Sequence, residues 1–125
     1  MTDGLIIFAH GSSVESANDA VRAVTGALAL KGAYPHVETA FLEGGKPDLL
    51  GAAEALMARG VDRVVVLPYF LTVGLHLKRD LPKLVTELSA AHPGLRVETA
   101  PPLDGHRALV DILFARAEEA LAAAR

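Results

Sequence analysis

The chain has 125 residues, a net charge of −3 and no cysteine, and it is 51% hydrophobic but only 5% aromatic. That length suits one domain, residues 1–125, whose core must be built from Ala, Val, Leu and Ile. The composition excludes a disulfide framework and a thiolate metal site, and it lacks the basic excess of a nucleic-acid binder. Any metal would have to be held by histidine and carboxylate. No apolar run approaches the roughly 18 residues of a membrane span, and no signal-peptide pattern precedes the first apolar run. The expectation is a soluble, cytoplasmic protein with no membrane and no nucleic-acid partner.

The first element in chain order is an apolar run, Leu5–Ala9, read as a strand. A helical pattern follows from Val14 to Leu30, with Val14, Ala17, Val21, Val24 and Leu28 spaced by three and four. Val37–Leu42 reads as a second strand. Pro47–Arg59 reads as a second helix, with Pro47 as its first residue and Gly60 as its stop. Val61–Leu67 is a near-continuous valine run, the pattern of a strand covered on both faces. A third helix is expected from about Asp80 to Ala91, ended by Pro93-Gly94. Leu95–Ala100 reads as the fourth strand, and Gly105–Ala124 as the last helix. This β-α alternation predicts a single-domain α/β three-layer sandwich, with a four-stranded parallel sheet and flavodoxin-like winding.

In such sheets ligands bind beyond the carboxyl ends of the strands. The segments there are His10-Gly11-Ser12-Ser13, then Glu43 to Lys46, then the stretch from Pro68 to Pro82, and finally Pro101 to His106. His10, Glu43, His76 and His106 would therefore gather on one rim, with His36 and His92 on the opposite one. Imidazole with carboxylate suits a borderline divalent ion such as Fe, Co, Ni or Zn, and equally suits proton transfer near neutral pH.

Each of these residues also has a plainer reading. His10 can be a turn residue bonding a carbonyl, Glu43 a solvated loop charge, and His106 a helix-start residue. His76 lies in what reads as a loop of about ten residues, longer than usual for such units. Tyr69, Phe70, Leu71, Val73 and Leu75 give that loop an apolar character suited to the wall of a pocket for a flat ligand, to core, or to a dimer contact.

Three segments carry a family resemblance: "FAHGSS" after the first strand, "AFLE" at the second, and "LPYFLTVGLHLKRDLP" after the third. Together they resemble the class II tetrapyrrole chelatases, and more closely the short single-domain sirohydrochlorin chelatases of cobalamin and siroheme biosynthesis. The likeness runs from about Leu5 to Pro102. It implies a chelatase-like fold and a lyase that inserts a divalent metal as substrate (cobalt, iron or, in some members, nickel) into a sirohydrochlorin-like tetrapyrrole. No organic cofactor is implied, and short members are expected to pair as homodimers. The family's two signature histidines match His10 and His76, and its acidic residue matches Glu43. Ser13 stands where many members carry Arg, which removes one possible partner for a substrate carboxylate.

On that resemblance His10 and His76 are the expected metal ligands, and Glu43 a third ligand or proton acceptor. Ser12, Ser13, Phe70, Leu71 and Gly74 are expected to contact the ring. Lys46, Lys78 and Arg79 can face its carboxylates or simply be solvated. Asp80 is expected to cap the third helix; if that stretch is helical throughout, Asp80 instead shares a face with His76 and can orient its ring. A non-catalytic metal or tetrapyrrole carrier is the first rival reading. A histidine phosphatase is disfavoured because Ala9 occupies the place of the Arg such a motif uses, and a serine hydrolase because no G-x-S-x-G appears.

Overall fold

The computed structural model describes residues 1–72 and 74–123, and the main chain alone of residue 76. Its elements alternate as expected: β1 (Asp3–Ala9), α1 (Glu15–Gly32), β2 (Val37–Phe41), α2 (Leu49–Met57), β3 (Arg63–Pro68), α3 (Leu75–Ala91), β4 (Arg96–Thr99) and α4 (Ala108–Ala123). Ala124 and Val73, both assigned from sequence, lie outside the described residues. Among the described residues no helix is long and apolar enough to cross a membrane.

The four strands form one parallel sheet in the order β2-β1-β3-β4. The chain steps from β1 outward to β2, then crosses back to β3 on the other side. The strand order thus reverses between β1 and β3, and in such sheets ligands bind along the rim at the strands' carboxyl ends.

The core fills one face of the sheet. Ile6, Phe8, Ala40, Val64 and Val66 project there and meet Leu49, Ala52, Ala53 and Leu56 of α2 and Leu77, Leu81 and Leu88 of α3. Register explains the grouping, because Ile6 lies opposite Val66 and Phe8 opposite Ala40, and side chains alternate with a period of two. Burying each of these large side chains is worth about 1.5–3 kcal/mol.

The other face is only partly covered, which corrects the expectation for the valine strand. Val64 and Val66 are buried, but Val65 and Leu67, which alternate with them, are half-buried, as is Leu5 beside Val65. The reason is α4: no described residue of that helix is buried, and Val110, Leu113 and Phe114 are 69%, 69% and 65% exposed.

Helix α1 also sits differently from its apolar stripe. Val14 and Val24 face water, and the buried residues are Asn18 and Thr25. Burying polar side chains is tolerable only when they are hydrogen-bonded. The Thr25 hydroxyl donates to the Val21 carbonyl, and the Thr39 hydroxyl on β2 donates to Thr25 Oγ1 at 2.7 Å.

Two helix starts move. Asp48, not Pro47, opens α2, its side chain accepting from Gly51 N–H at 2.8 Å. Helix α3 begins at Leu75 after Gly74, five residues ahead of the expected Asp80, and runs through Pro82. An internal proline opposes a helix by about 3 kcal/mol. Here Leu77, Leu81 and Leu88 are all buried on one stripe, and their packing carries the helix past it. Asp80 is consequently an interior helical residue rather than a cap, and the loop before α3 is shorter than the ten residues expected.

Candidate functional site

Two loops meet at the carboxyl end of the β1–β2 pair. The ladder continues past the strands, with Leu42 N–H donating to the Ala9 carbonyl at 2.9 Å and Glu43 N–H to the His10 carbonyl at 3.0 Å. His10 and Glu43 therefore leave the sheet side by side. Gly11 (φ +89°) and Gly44 (φ +71°) make the sharp turns beyond them in the left-handed region that glycine tolerates.

The His10 and Glu43 side chains face each other, Nε2 to Oε1, at 3.5 Å, and both are largely open to solvent, 62% and 71% exposed. On the other side of the ring, Nδ1 lies 3.2 Å from the Gly11 carbonyl. The tautomer with its proton on Nδ1 donates to that carbonyl. The Nε2 lone pair then faces a carboxylate, an arrangement that repels unless a proton or a cation lies between. A cation fits: bonds of about 2.1 Å to nitrogen and oxygen, meeting at roughly 115°, span this separation. Among the described residues no group of three or more His, Cys, Asp or Glu could hold a metal ion. The site as described is a two-membered arm with open positions.

Helix α3 starts on the same rim, where Tyr69 N–H donates to the Phe8 carbonyl at 2.7 Å. Residue 76 is the second residue of that helix, and residue 80 follows one turn later on the same face. The His76 side chain, the expected second ligand, lies outside the described residues.

The residues expected to contact a ring divide. Leu71 is 63% exposed and free to meet a ligand, as is Gly74, which lies at the open start of α3. Phe70 turns inward, its ring edge-on to Phe8 with centroids 6.1 Å apart. Ser12 shapes its own loop: its hydroxyl accepts from Val14 N–H and its N–H donates to Asn18. Ser13 is exposed. A cavity of 660 Å³ opens beside β4 and is lined by Thr72, Leu77, Lys78, Leu81, Pro102 and Asp104, among others. None of the five expected ring contacts lines it.

His106 takes its plainer reading, with Nδ1 accepting from Ala108 N–H at the head of α4. His36 sits at the other end of the sheet, where its carbonyl accepts from Leu5 N–H, and His92 faces Glu54 at 3.1 Å.

Asn18 is the residue that sequence reasoning passed over. Its side chain is almost wholly buried and joins both loops of the rim. A polar residue standing where a helix should bury an apolar one was the available signal.

A parallel sheet with an exposed imidazole–carboxylate pair where the β1 and β2 loops leave it, on the rim where such folds bind ligands, defines an α/β domain with a candidate site at its carboxyl edge. Residues 4–120 match the sequence profile of the CbiX family, and the chain belongs to that family. It is 36% identical to the sirohydrochlorin cobaltochelatase of Sulfolobus acidocaldarius, over 94% of this chain and 92% of that protein. It is 32% identical to the chloroplastic sirohydrochlorin ferrochelatase of Arabidopsis thaliana, over 95% of this chain but 53% of the plant protein. Among solved structures, the putative cobalamin biosynthesis CbiX protein of Marinobacter aquaeolei VT8 superposes with a TM-score of 0.85 at 25% identity, covering 95% of this chain and 97% of that one. The sirohydrochlorin chelatase SirB of Bacillus subtilis subspecies spizizenii, in complex with cobalt, shares the fold at a TM-score of 0.88 and 24% identity; the match covers 95% of this chain and 51% of SirB.

Proposed function

We propose that this chain inserts a divalent metal, cobalt first and iron as the alternative, into sirohydrochlorin. The observation that carries the reading is the His10–Glu43 pair, open to solvent at the carboxyl end of β1 and β2 and spaced for one cation. The cobaltochelatase of S. acidocaldarius, similar over nearly the full length of both chains, favours cobalt.

Insertion requires the ion to shed water, two pyrrole nitrogens to lose protons, and the flat ring to bend. Few protein ligands suit this task, because an ion held by a full set would not leave. His10 through Nε2 and His76 are the ligands in this reading, keeping positions open for ring nitrogens. Glu43 is the third ligand and, as the ion passes to the ring, the acceptor of one pyrrole proton, while an imidazole freed from the ion accepts the other. Ser13, Leu71 and Gly74 lie against the macrocycle, while Lys46, Lys78 and Arg79 face its carboxylates.

The working unit is a homodimer. The half-covered sheet face and the exposed apolar residues of α4 support this, since monomeric proteins rarely leave large contiguous apolar patches in water. A second copy closes over the open rim and supplies the other wall of the cleft.

The deciding experiment mixes purified protein at substoichiometric amounts with sirohydrochlorin and Co²⁺, Fe²⁺ or Ni²⁺, and follows the tetrapyrrole spectrum. Many turnovers with Co²⁺ support the reading. A change that stops at one equivalent of protein identifies a carrier and refutes it.

A further inference from the structure

Asn18 lies in the second turn of α1, on the face turned toward the two rim loops, and only 1% of it is exposed. Its side chain makes contacts on both sides. Oδ1 accepts from Ser12 N–H at 2.9 Å. Nδ2 donates to the Ser12 carbonyl at 2.9 Å and to the Gly44 carbonyl at 3.0 Å, with Glu15 Oε2 further off at 3.4 Å. The two amide protons thus go to one carbonyl from each loop. Ser12 is two residues after His10, and Gly44 directly follows Glu43.

The main-chain bond from Glu43 to His10 fixes the roots of the two loops. Beyond it they pass close together, Gly11 against the Glu43 carbonyl and Gly44 against the Ser12 backbone, but through two glycines in the left-handed region and with no further main-chain hydrogen bond between them among the described residues. Glycine leaves the backbone more freedom than any other residue, so such turns hold a shape only when something outside them imposes it. Arg22, one turn further along α1, adds a weaker grip by donating to the Lys46 carbonyl at 3.3 Å. An asparagine is needed for the central grip: it must offer an acceptor to one N–H and donors to two carbonyls, and Asp or Leu at that position cannot do both.

We infer that Asn18 is a positioning residue for metal insertion, clasping the two loops so that His10 and Glu43 keep the separation one ion requires. The inference rests on the chelatase reading of the rim. Partners that orient metal ligands typically contribute 10–100-fold to affinity or activity, and that is the size of effect assigned to Asn18.

The test compares wild type with Asn18→Ala and Asn18→Asp. The aspartate is nearly isosteric, but it sets a carboxylate oxygen against two carbonyls. Three quantities are read: Co²⁺ affinity by calorimetry without tetrapyrrole, kcat and KM for sirohydrochlorin, and the thermal midpoint. The expected result is a 10–100-fold loss in Co²⁺ affinity and kcat per folded molecule, with KM for sirohydrochlorin within about twofold. Unchanged Co²⁺ affinity and kcat in a less stable protein overturn the inference, because Asn18 is then only a structural bond. Failure of both variants to fold overturns it in the same way. Wild type and His10→Ala serve as controls. If wild type shows no insertion, or His10→Ala keeps it, the site assignment falls and takes this inference with it; with both controls behaving as assigned, the Asn18 variants judge the clasp alone.

Discussion

A side-chain carbon on Gly11 would stand 1.6 Å from the carbonyl oxygen of Glu43. That gap is filled by backbone on both sides, so no flexible side chain can move to make room. With φ at +89°, a residue bearing Cβ is strained there even without the contact. Gly11→Ala is therefore expected to push the two loops apart, costing at least about 1–2 kcal/mol for the conformation alone. Insertion activity should fall with it. A variant with wild-type thermal midpoint and turnover would contradict the close packing of the rim.

The histidines should separate by rim. His10→Ala and His76→Ala are each expected to lower insertion by at least about 100-fold while leaving the chain folded. His36→Ala, at the far end of the sheet, should retain activity within about twofold, although His36 Nδ1 is buried without a hydrogen-bond partner among the described residues. Spectrophotometric turnover on the three variants decides it. A large loss at His36 would mean that the working rim has been assigned to the wrong end.

Assembly should depend on α4. Phe114 and Leu113 are large, apolar and exposed. Replacing either by Glu places a charge in the proposed dimer contact, where an unpaired buried charge is strongly unfavourable. Light scattering after size exclusion should show a dimer for wild type and a monomer for Phe114→Glu, with insertion lost in the monomer. A wild-type monomer that turns over would refute the homodimer.

Acid should weaken the join between β1 and β3. Arg63 donates from Nε to Asp3 Oδ1 at 2.7 Å and from Nη2 to Oδ2 at 3.0 Å. That hydrogen bonding holds the Asp3 carboxyl below its ordinary 3.8. A carboxyl lowered on folding contributes stability that is fully present above its unfolded value and is lost as pH falls through the lowered one. Asp3→Asn should thus unfold earlier in urea than wild type at pH 7, and the difference should shrink as pH falls below 3.8. A difference independent of pH would show that the ion pair contributes nothing.

Much of this architecture is written plainly in the chain. The valine run at β3 and the three-and-four spacing of the helices give the alternation, and the alternation gives a parallel sheet with its functional ends on one side. The neighbouring exits of His10 and Glu43 follow from that topology. The misreadings have a common cause, since local signals were outweighed by packing. Asp80 reads as the cap of the third helix, yet the buried leucines of α3 let it start at Leu75 and carry it past Pro82. The apolar stripe of α1 looked like its inner face, yet Asn18 and Thr25 are buried because each finds partners that appear only once the chain has folded. Helical spacing puts position 18 beside the apolar stripe, but not what it bonds, because the carbonyl of Gly44 lies twenty-six positions away from Asn18.

The apolar stripe of α4 has a consequence for anyone engineering this chain. In the proposed homodimer, solubility of the isolated polypeptide and cohesion of the pair draw on the same patch. Substitutions that make α4 more water-loving would then improve yield and dissolve the pair together, and a better-behaved preparation would be a catalytically silent one.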